Sequence, residues 1–350
     1  MGSSNLNDFS LSITGNGGTG TTGAGGAGGN LFVSHGTFAS TRLSLTSGLN
    51  GGSSQSGDGG LGGGISVTQT RGSFWLSGGP LNAAGGASAG AGTGGEGGRF
   101  NYDGQEIETE FVSTNVTCNF NGGSSATGSG GSGGYNVDYA YQVDAGIARI
   151  NGGSIFAAGG TGNSVNGAGG SGGGVLLQTQ IGGLWFDSDL DIRGAGNTGG
   201  GAGGSGGNAA LFALFGDLVI TGDILADSPT ATVPGMAGQV NLGGNAASTM
   251  TISSLISCNG GTGTAAAGPV GAAGGNINVG GGTERNVRFT ATALLRANGG
   301  GPAANAGVID IDIVGTGGTG TILLEDAGSQ LITNNGTGTA VPGNIDRNSN

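Results

Sequence analysis

The chain has 350 residues, of which 90 are glycine and only 6 proline, and a formal net charge of −12 that includes arginines but no lysine. Glycine at this level without an every-third repeat along the whole chain excludes collagen, and 35% hydrophobic with 9% charged residues fits ordinary disorder poorly. Scattered arginines on an acidic chain argue against nucleic acid, which needs clustered positive charge, and no apolar run is long enough for a membrane-spanning helix.

The chain opens on Met1-Gly2-Ser3-Ser4-Asn5, which lacks the charged and apolar regions of a secretory leader. A short apolar stretch, Leu11-Ser12-Ile13, runs into Asn16-Gly17-Gly18 and a tract ending Gly23-Ala24-Gly25-Gly26-Ala27-Gly28-Gly29. Leu31-Phe32-Val33 follows at once, and then a corner at His35, the only histidine. This order repeats. Asn16, Asn50, Asn121, Asn259, Asn298 and Asn335 each precede Gly-Gly, at intervals of about 34 to 39 residues where neighbouring units are aligned; Ala84, Ala158 and Gly196 or Asn197 take the same place elsewhere. Near-copies of the tract lie at Gly128–Gly134, Gly167–Gly173 and Gly201–Gly207, with looser ones at Gly92–Gly98 and Gly271–Gly275. Near Asp227 one unit carries Pro229 and Pro234 in place of a long tract.

Apolar stretches before the tracts include Leu43-Ser44-Leu45, Val116-Thr117-Cys118, Leu190-Asp191-Ile192 and Leu255-Ile256. Those after them include Ile65-Ser66-Val67, Val137-Asp138-Tyr139, Val175-Leu176-Leu177, Ile277-Asn278-Val279 and Ile309-Asp310-Ile311-Asp312-Ile313. A third set follows a glycine-containing corner: Phe74-Trp75-Leu76, Leu184-Trp185-Phe186, Leu218-Val219-Ile220, Val287-Arg288-Phe289 and Ile322-Leu323-Leu324. Alternation without helical spacing predicts an all-β, parallel β-solenoid of about ten coils with three short strands each, one domain over residues 1–350. A helix through such sequence would lose about 1 kcal/mol at each glycine.

The tracts, near residues 15–29, 48–64, 84–98, 121–134, 158–174, 194–207 and 259–275, carry a small residue at every third place. That phase suits a three-residue-per-turn extended helix with two bare backbone faces. The expected arrangement is a two-layer fin of polyglycine-II-like hairpins. Gly25, Gly26, Gly28, Gly29, Gly130, Gly131, Gly169, Gly170, Gly203 and Gly204 are its packed positions. Fixing so much glycine costs about 1–2 kcal/mol per residue, so tracts are expected to be ordered only as a row.

In these tracts the chain resembles the polyglycine-II bundles of phage tail-tip adhesins and of the springtail antifreeze protein, and the glycine-rich repeats of mycobacterial PGRS surface proteins. Its three-strand repeat resembles secreted β-solenoids such as filamentous haemagglutinins and autotransporter passengers. The resemblance implies a surface or fibre protein and brings no catalytic motif that maps onto this chain.

Several strands read as apolar on both faces, which asks for a cover over the outer one. Phe32, Trp75, Leu176, Trp185, Phe212 and Leu323 are the interface candidates. Outward tryptophans serve as packing anchors between subunits or against the fin, or stack on sugars. Glu106-x-Glu108-x-Glu110, Asp187-x-Asp189-x-Asp191 and Asp310-x-Asp312 place like charges on one strand face, read as solvated edges, with calcium bridging or acid catalysis as weaker alternatives. Cys118 and Cys258 are expected as buried thiols about four coils apart, ~19 Å at ~4.8 Å per rung and beyond disulfide reach. His35 has no metal-ligand or triad context, and no cofactor is implied. Thr19-Gly20-Thr21, Thr262-Gly263-Thr264, Thr319-Gly320-Thr321 and Thr337-Gly338-Thr339 belong to tracts, and not to a flat ice-binding face. Asn115-Val116-Thr117 and Asn335-Gly336-Thr337 are glycosylation sequons.

Neither end looks capped, as a monomeric solenoid normally would be. The expectation is a non-enzymatic structural subunit of an extracellular filament or cell-surface fibre, with itself as partner. The alternative is an adhesin or phage-fibre-type protein that binds a receptor or glycans.

Overall fold

A computed structural model describes residues 6–35, 40–106, 108–134, 139–244, 248–264, 271–280, 286–301, 304–312, 321–324, 330–333 and 344–348. Among them every regular element is a strand, and every strand pairing is parallel. The strands form a 10-stranded and a 15-stranded sheet between which the chain passes alternately, making a parallel β-solenoid. The solenoid has about eight turns, slightly fewer than the ten expected.

Strict alternation builds the core. In the 10-stranded sheet Ile65, Phe100, Tyr141, Val175, Ala209, Val240, Ile277 and Ile309 lie in register and fully buried, and Val67 through Ile311 form a second such row. The facing sheet supplies Leu43, Leu76, Ser113, Ile150, Phe186, Ile220, Ile252 and Phe289. Side chains of one sheet face recur every second residue, so each rung presents the same inward places to the next. Five rings, Phe74, Phe100, Tyr102, Phe111 and Tyr141, fill neighbouring coils with centroids 4.8–6.2 Å apart; beyond them the core is mainly aliphatic.

The expectation of three separate strands per coil holds for only part of the stack. Leu184-Trp185-Phe186 and Leu190-Asp191 belong to one strand, Leu184–Asp191, and similar long strands run Ser40–Gly48, Thr109–Asn119 and Ile147–Phe156. Two of these strands turn the corner through left-handed backbone: Asn115 adopts φ 53°, and Gly152 (φ 63°) and Gly153 (φ 79°) lie where the register with Leu184–Asp191 shifts between Asn151 and Ser154, a bulge. Elsewhere the corner breaks the strand, as between Gly72–Ser77 and Leu81–Asn82, and three pieces result. A corner residue that keeps its ladder bonds gives one bent strand; a Gly-Gly-Pro corner, as at Gly78-Gly79-Pro80, gives two.

Cys118 and Cys258 are free and buried. His35, expected at a corner, instead ends the strand Asn30–His35 and pairs with Gln69. Val137-Asp138, Ile313, Thr319-Gly320, Asn335-Gly336 and Thr337-Gly338-Thr339 lie outside the described residues; Tyr139, expected in a strand with Val137-Asp138, precedes the strand of that coil, Tyr141–Ala145.

Candidate interaction surfaces

Each glycine tract leaves the core, turns and comes back beside itself. The hairpin is closed at its base by a bond from its last glycine to the residue before the Asn-Gly-Gly position: Gly63 N–H donates to Leu49 O, Gly98 to Ala83 O, Gly134 to Phe120 O, Gly173 to Ala157 O and Gly207 to Ile192 O, all at 2.6–2.8 Å. In the last of these coils Arg193 holds that position, and not Gly196 or Asn197 as expected, since Asn197 pairs with Gly162 four residues further along. Further out, one chain of bonds runs from coil to coil. Gly26 N–H donates to Gly18 O, Gly52 to Gly26, Gly60 to Gly52, Gly86 to Gly60, and so on through Gly131 and Gly170 to Gly204, at 2.8–2.9 Å. A second set joins returning arms directly: Gly25 donates to Asp58 O and Gly28 to Leu61 O, three residues apart, as a three-residue-per-turn helix requires.

The bare faces are needed because the backbones touch. A Cβ on Gly170 would lie 1.8 Å from Gly131 O, and one on Gly25 1.9 Å from Gly52 O. Gly26, Gly28, Gly29, Gly130, Gly131, Gly169, Gly203 and Gly204 sit in the same stacked arms. At Gly23, by contrast, nothing lies within 4 Å of that position. The small third residues, Ala24, Ser129, Ala168 and Ala202, occupy the remaining face.

Two polar ladders lock the fin. Asn16 Oδ1 accepts from Asn50 N–H (2.9 Å), Asn50 Oδ1 from Ala84 N–H (2.9 Å), Asn121 Oδ1 from Ala158 N–H (2.8 Å) and Asn259 Oδ1 from Asn298 N–H (3.0 Å). At the tip, buried serines bridge coils. Ser125 Oγ donates to Gly92 O at 2.6 Å and accepts from Gly128 N–H at 2.8 Å; Ser54 donates likewise to Gly23 O, and Ser88 to Gly57 O. The sequence carried this signal as Gly-Gly-x-Ser at Ser54, Ser88 and Ser125, which pattern reading for glycine alone passes over.

On the outer face of the 15-stranded sheet, register aligns Asp8, Arg42, Trp75, Val112, Arg149, Trp185, Val219, Thr251 and Arg288. Trp75 and Trp185 point outward and are half-buried. Each has an arginine of the preceding coil over its ring: Arg42 at 5.2 Å and Arg149 at 3.8 Å from the centroid. Arg149 also faces Glu110 at 3.8 Å, and Glu110 accepts from Ser73 Oγ at 2.8 Å. One face of each indole is thus occupied within the chain itself.

The other interface candidates are dispersed. Phe32 is 76% exposed on the first coil, in an outer row whose next members are Ser66, Asn101 and Gln142 before Leu176. Phe212 leans over Gly243 of the next coil. Leu323 lies in the strand Thr321–Leu324.

The acidic runs separate as well. Asp187, Asp189 and Asp191 do share the outer face of one strand, where Thr221 Oγ1 donates to Asp187, Asp223 N–H to Asp189, and Arg193 doubly to Asp191. Glu106 and Glu108 instead precede the strand that holds Glu110, and Glu106 pairs with Arg71. A chain corner intervenes where an unbroken strand was expected.

Burial raises the Cys118 and Cys258 thiols and the Tyr102 and Tyr141 phenols above their ordinary ranges. Asp144 is raised chiefly by burial; a hydrogen bond from Gln180 lowers it, and the facing Asp103 pushes it up again. Among the described residues no three His, Cys, Asp or Glu side chains gather as metal ligands, and no helix is long and apolar enough to cross a membrane.

At the first coil the core is open. Phe9 and Leu11 stand in register above the buried Leu43 and Leu45, yet are 56% and 37% exposed, and the strands Leu6–Thr14 and Asn30–His35 have no partner on their outer side among the described residues. The chain matches no protein-family model, and neither characterised proteins nor solved structures yield a significant match.

Proposed function

We propose that this chain is a structural element of an extracellular filament or cell-surface fibre, a stiff solenoid whose coils continue onto coils of another copy. The observation that carries this reading is the fin, a coil-to-coil chain of main-chain hydrogen bonds running from Gly18 to Gly204 that ties successive coils together beside the core. Parallel strand edges are templates for further strands, and a contact between unlike ends propagates into a filament when rotation does not close it. The glycine-rich secreted solenoids that the tracts resemble fit the same role.

Negative-stain microscopy and sedimentation of the purified protein test the reading. Rods or filaments are expected, reduced to single particles in Phe9→Glu/Leu11→Glu. A wild-type protein that stays monomeric at high concentration would sink it.

A further inference from the structure

An Asn-Gly dipeptide can react with itself. The glycine nitrogen attacks the asparagine Cγ, the N–Cγ bond forms as Cγ–Nδ2 breaks, and ammonia leaves with the amide proton. Water then opens the resulting succinimide at either carbonyl, leaving aspartate or isoaspartate, so one water is consumed and one ammonia released. Glycine favours ring closure because it has no Cβ to obstruct it. The fin repeats this dipeptide at Asn16, Asn50, Asn121, Asn166 and Asn259.

In four of these pairs both reacting groups are held. The N–H of Gly17, Gly51, Gly122 and Gly260 donates to the carbonyl of Asn50, Ala84, Ala158 and Asn298 in the next coil, at 2.8–2.9 Å. The Oδ1 of Asn16, Asn50, Asn121 and Asn259 accepts from the N–H of that same residue, at 2.8–3.0 Å. Nucleophile and electrophile are thus tied to one neighbour, and the ring closes only after both bonds open. Asn151-Gly152 lies off this ladder, but Asn151 is paired with Thr114 on one side and Asp187 on the other.

Asn166-Gly167 is held at neither group. It sits in a bend at the tip of the fin, where Asn166 is exposed and its neighbour Val165 is 74% exposed. The Asn166 side chain has no hydrogen bond among the described residues; only its backbone N–H does, to Ser164 Oγ at 3.3 Å. The Gly167 N–H reaches Ser164 O at 3.4 Å, longer than the ordinary range for such a bond. The chain is anchored just beyond, since Gly167 O accepts from Asn197 Nδ2 at 2.9 Å and from Ala202 N–H at 3.2 Å. The nitrogen is therefore kept in place while the asparagine side chain turns onto it.

We propose that Asn166 is a self-modification site of the folded protein, converted through a succinimide to aspartate and isoaspartate, while the asparagine ladder is protected by its own pairing. This does not rest on filament formation. In its test, intact protein is aged in mildly alkaline buffer, folded or in urea, and then mapped by mass spectrometry. Cleavage after Arg149 and Arg193 puts Asn151 and Asn166 in one peptide, where electron-transfer fragmentation assigns the position and tells isoaspartate from aspartate. In the folded protein Asn166 should convert at least about tenfold faster than Asn16, Asn50, Asn121 or Asn259, the factor that two ordinary hydrogen bonds impose. In urea the rates should converge. Asn166→Gln, checked for folding by circular dichroism, should remove the fast conversion. Equal rates in the folded protein, conversion of Asn151 or a ladder asparagine ahead of Asn166, no conversion of Asn166, or a difference undiminished in urea would each overturn the proposal.

Discussion

Gly170 and Val175 lie five residues apart in one coil, and different physical terms hold them. Val175 is fully buried in a row of side chains, where loss of apolar surface from water at about 25 cal/mol per Å² does the work. Gly170 has no side chain to bury, and its neighbours are carbonyl oxygens and amides of adjoining arms. A backbone hydrogen bond contributes only about 0.5–1.5 kcal/mol net, against about 1–2 kcal/mol to fix each residue. The fin therefore depends on the core for its anchorage, through the base closures at Leu49, Ala83, Phe120, Ala157 and Ile192. The core tolerates exchange of one apolar residue for another of similar size; at Gly25, Gly130 and Gly170 the fin has no room for an added carbon.

That contrast can be broken in graded steps. The largest effect is expected from Phe111→Ala, which removes a ring in contact with Phe74, Phe100 and Tyr102 and should cost about 3–5 kcal/mol in urea unfolding. Gly170→Ala should follow at about 3 kcal/mol, since the methyl group meets backbone that cannot turn aside. A loss near zero there would mean that the arms are loosely packed. Ser125→Ala removes a buried hydroxyl with two backbone partners, and about 1–2 kcal/mol is expected, with faster amide exchange at Gly128.

Gly23→Ala should reverse the sign. With open space around that position, a gain of about 0.4–1 kcal/mol is expected from the stiffer unfolded chain, and any large loss would refute the mapped gap. The smallest effect concerns pH. Asp144 faces Asp103 across the ladder and holds its proton more tightly folded than unfolded. Its charge therefore costs stability well above the unfolded carboxyl pKa of about 3.9, and the cost fades as pH falls through the raised value. Asp144→Asn should add about 0.2–1 kcal/mol at pH 7 and nothing near pH 3, read as the difference between two thermal-melt series.

Strand identity and the coil interval were legible because alternation and the Asn-Gly-Gly spacing are properties of neighbouring residues. The fin was legible too, from the phase of Gly25-Gly26 and Gly28-Gly29. What the sequence hid depends on register between coils. Arg42 stands over Trp75 and Arg149 over Trp185 only because the coils that separate them have the lengths they do, 33 and 36 residues. The joining of two strands at Asn115 and at Gly153 was equally hidden, since a bulge and a break use the same residue types.

The base closure has a further consequence. In coil after coil it joins the same two places by main-chain atoms alone, whatever amino acid sits there: leucine, alanine, phenylalanine or isoleucine. A unit deleted or duplicated whole would thus leave the base closure of every remaining coil intact. Genes encoding such a stack can lengthen or shorten by recombination between their own repeats, and the product changes reach without having to be refitted.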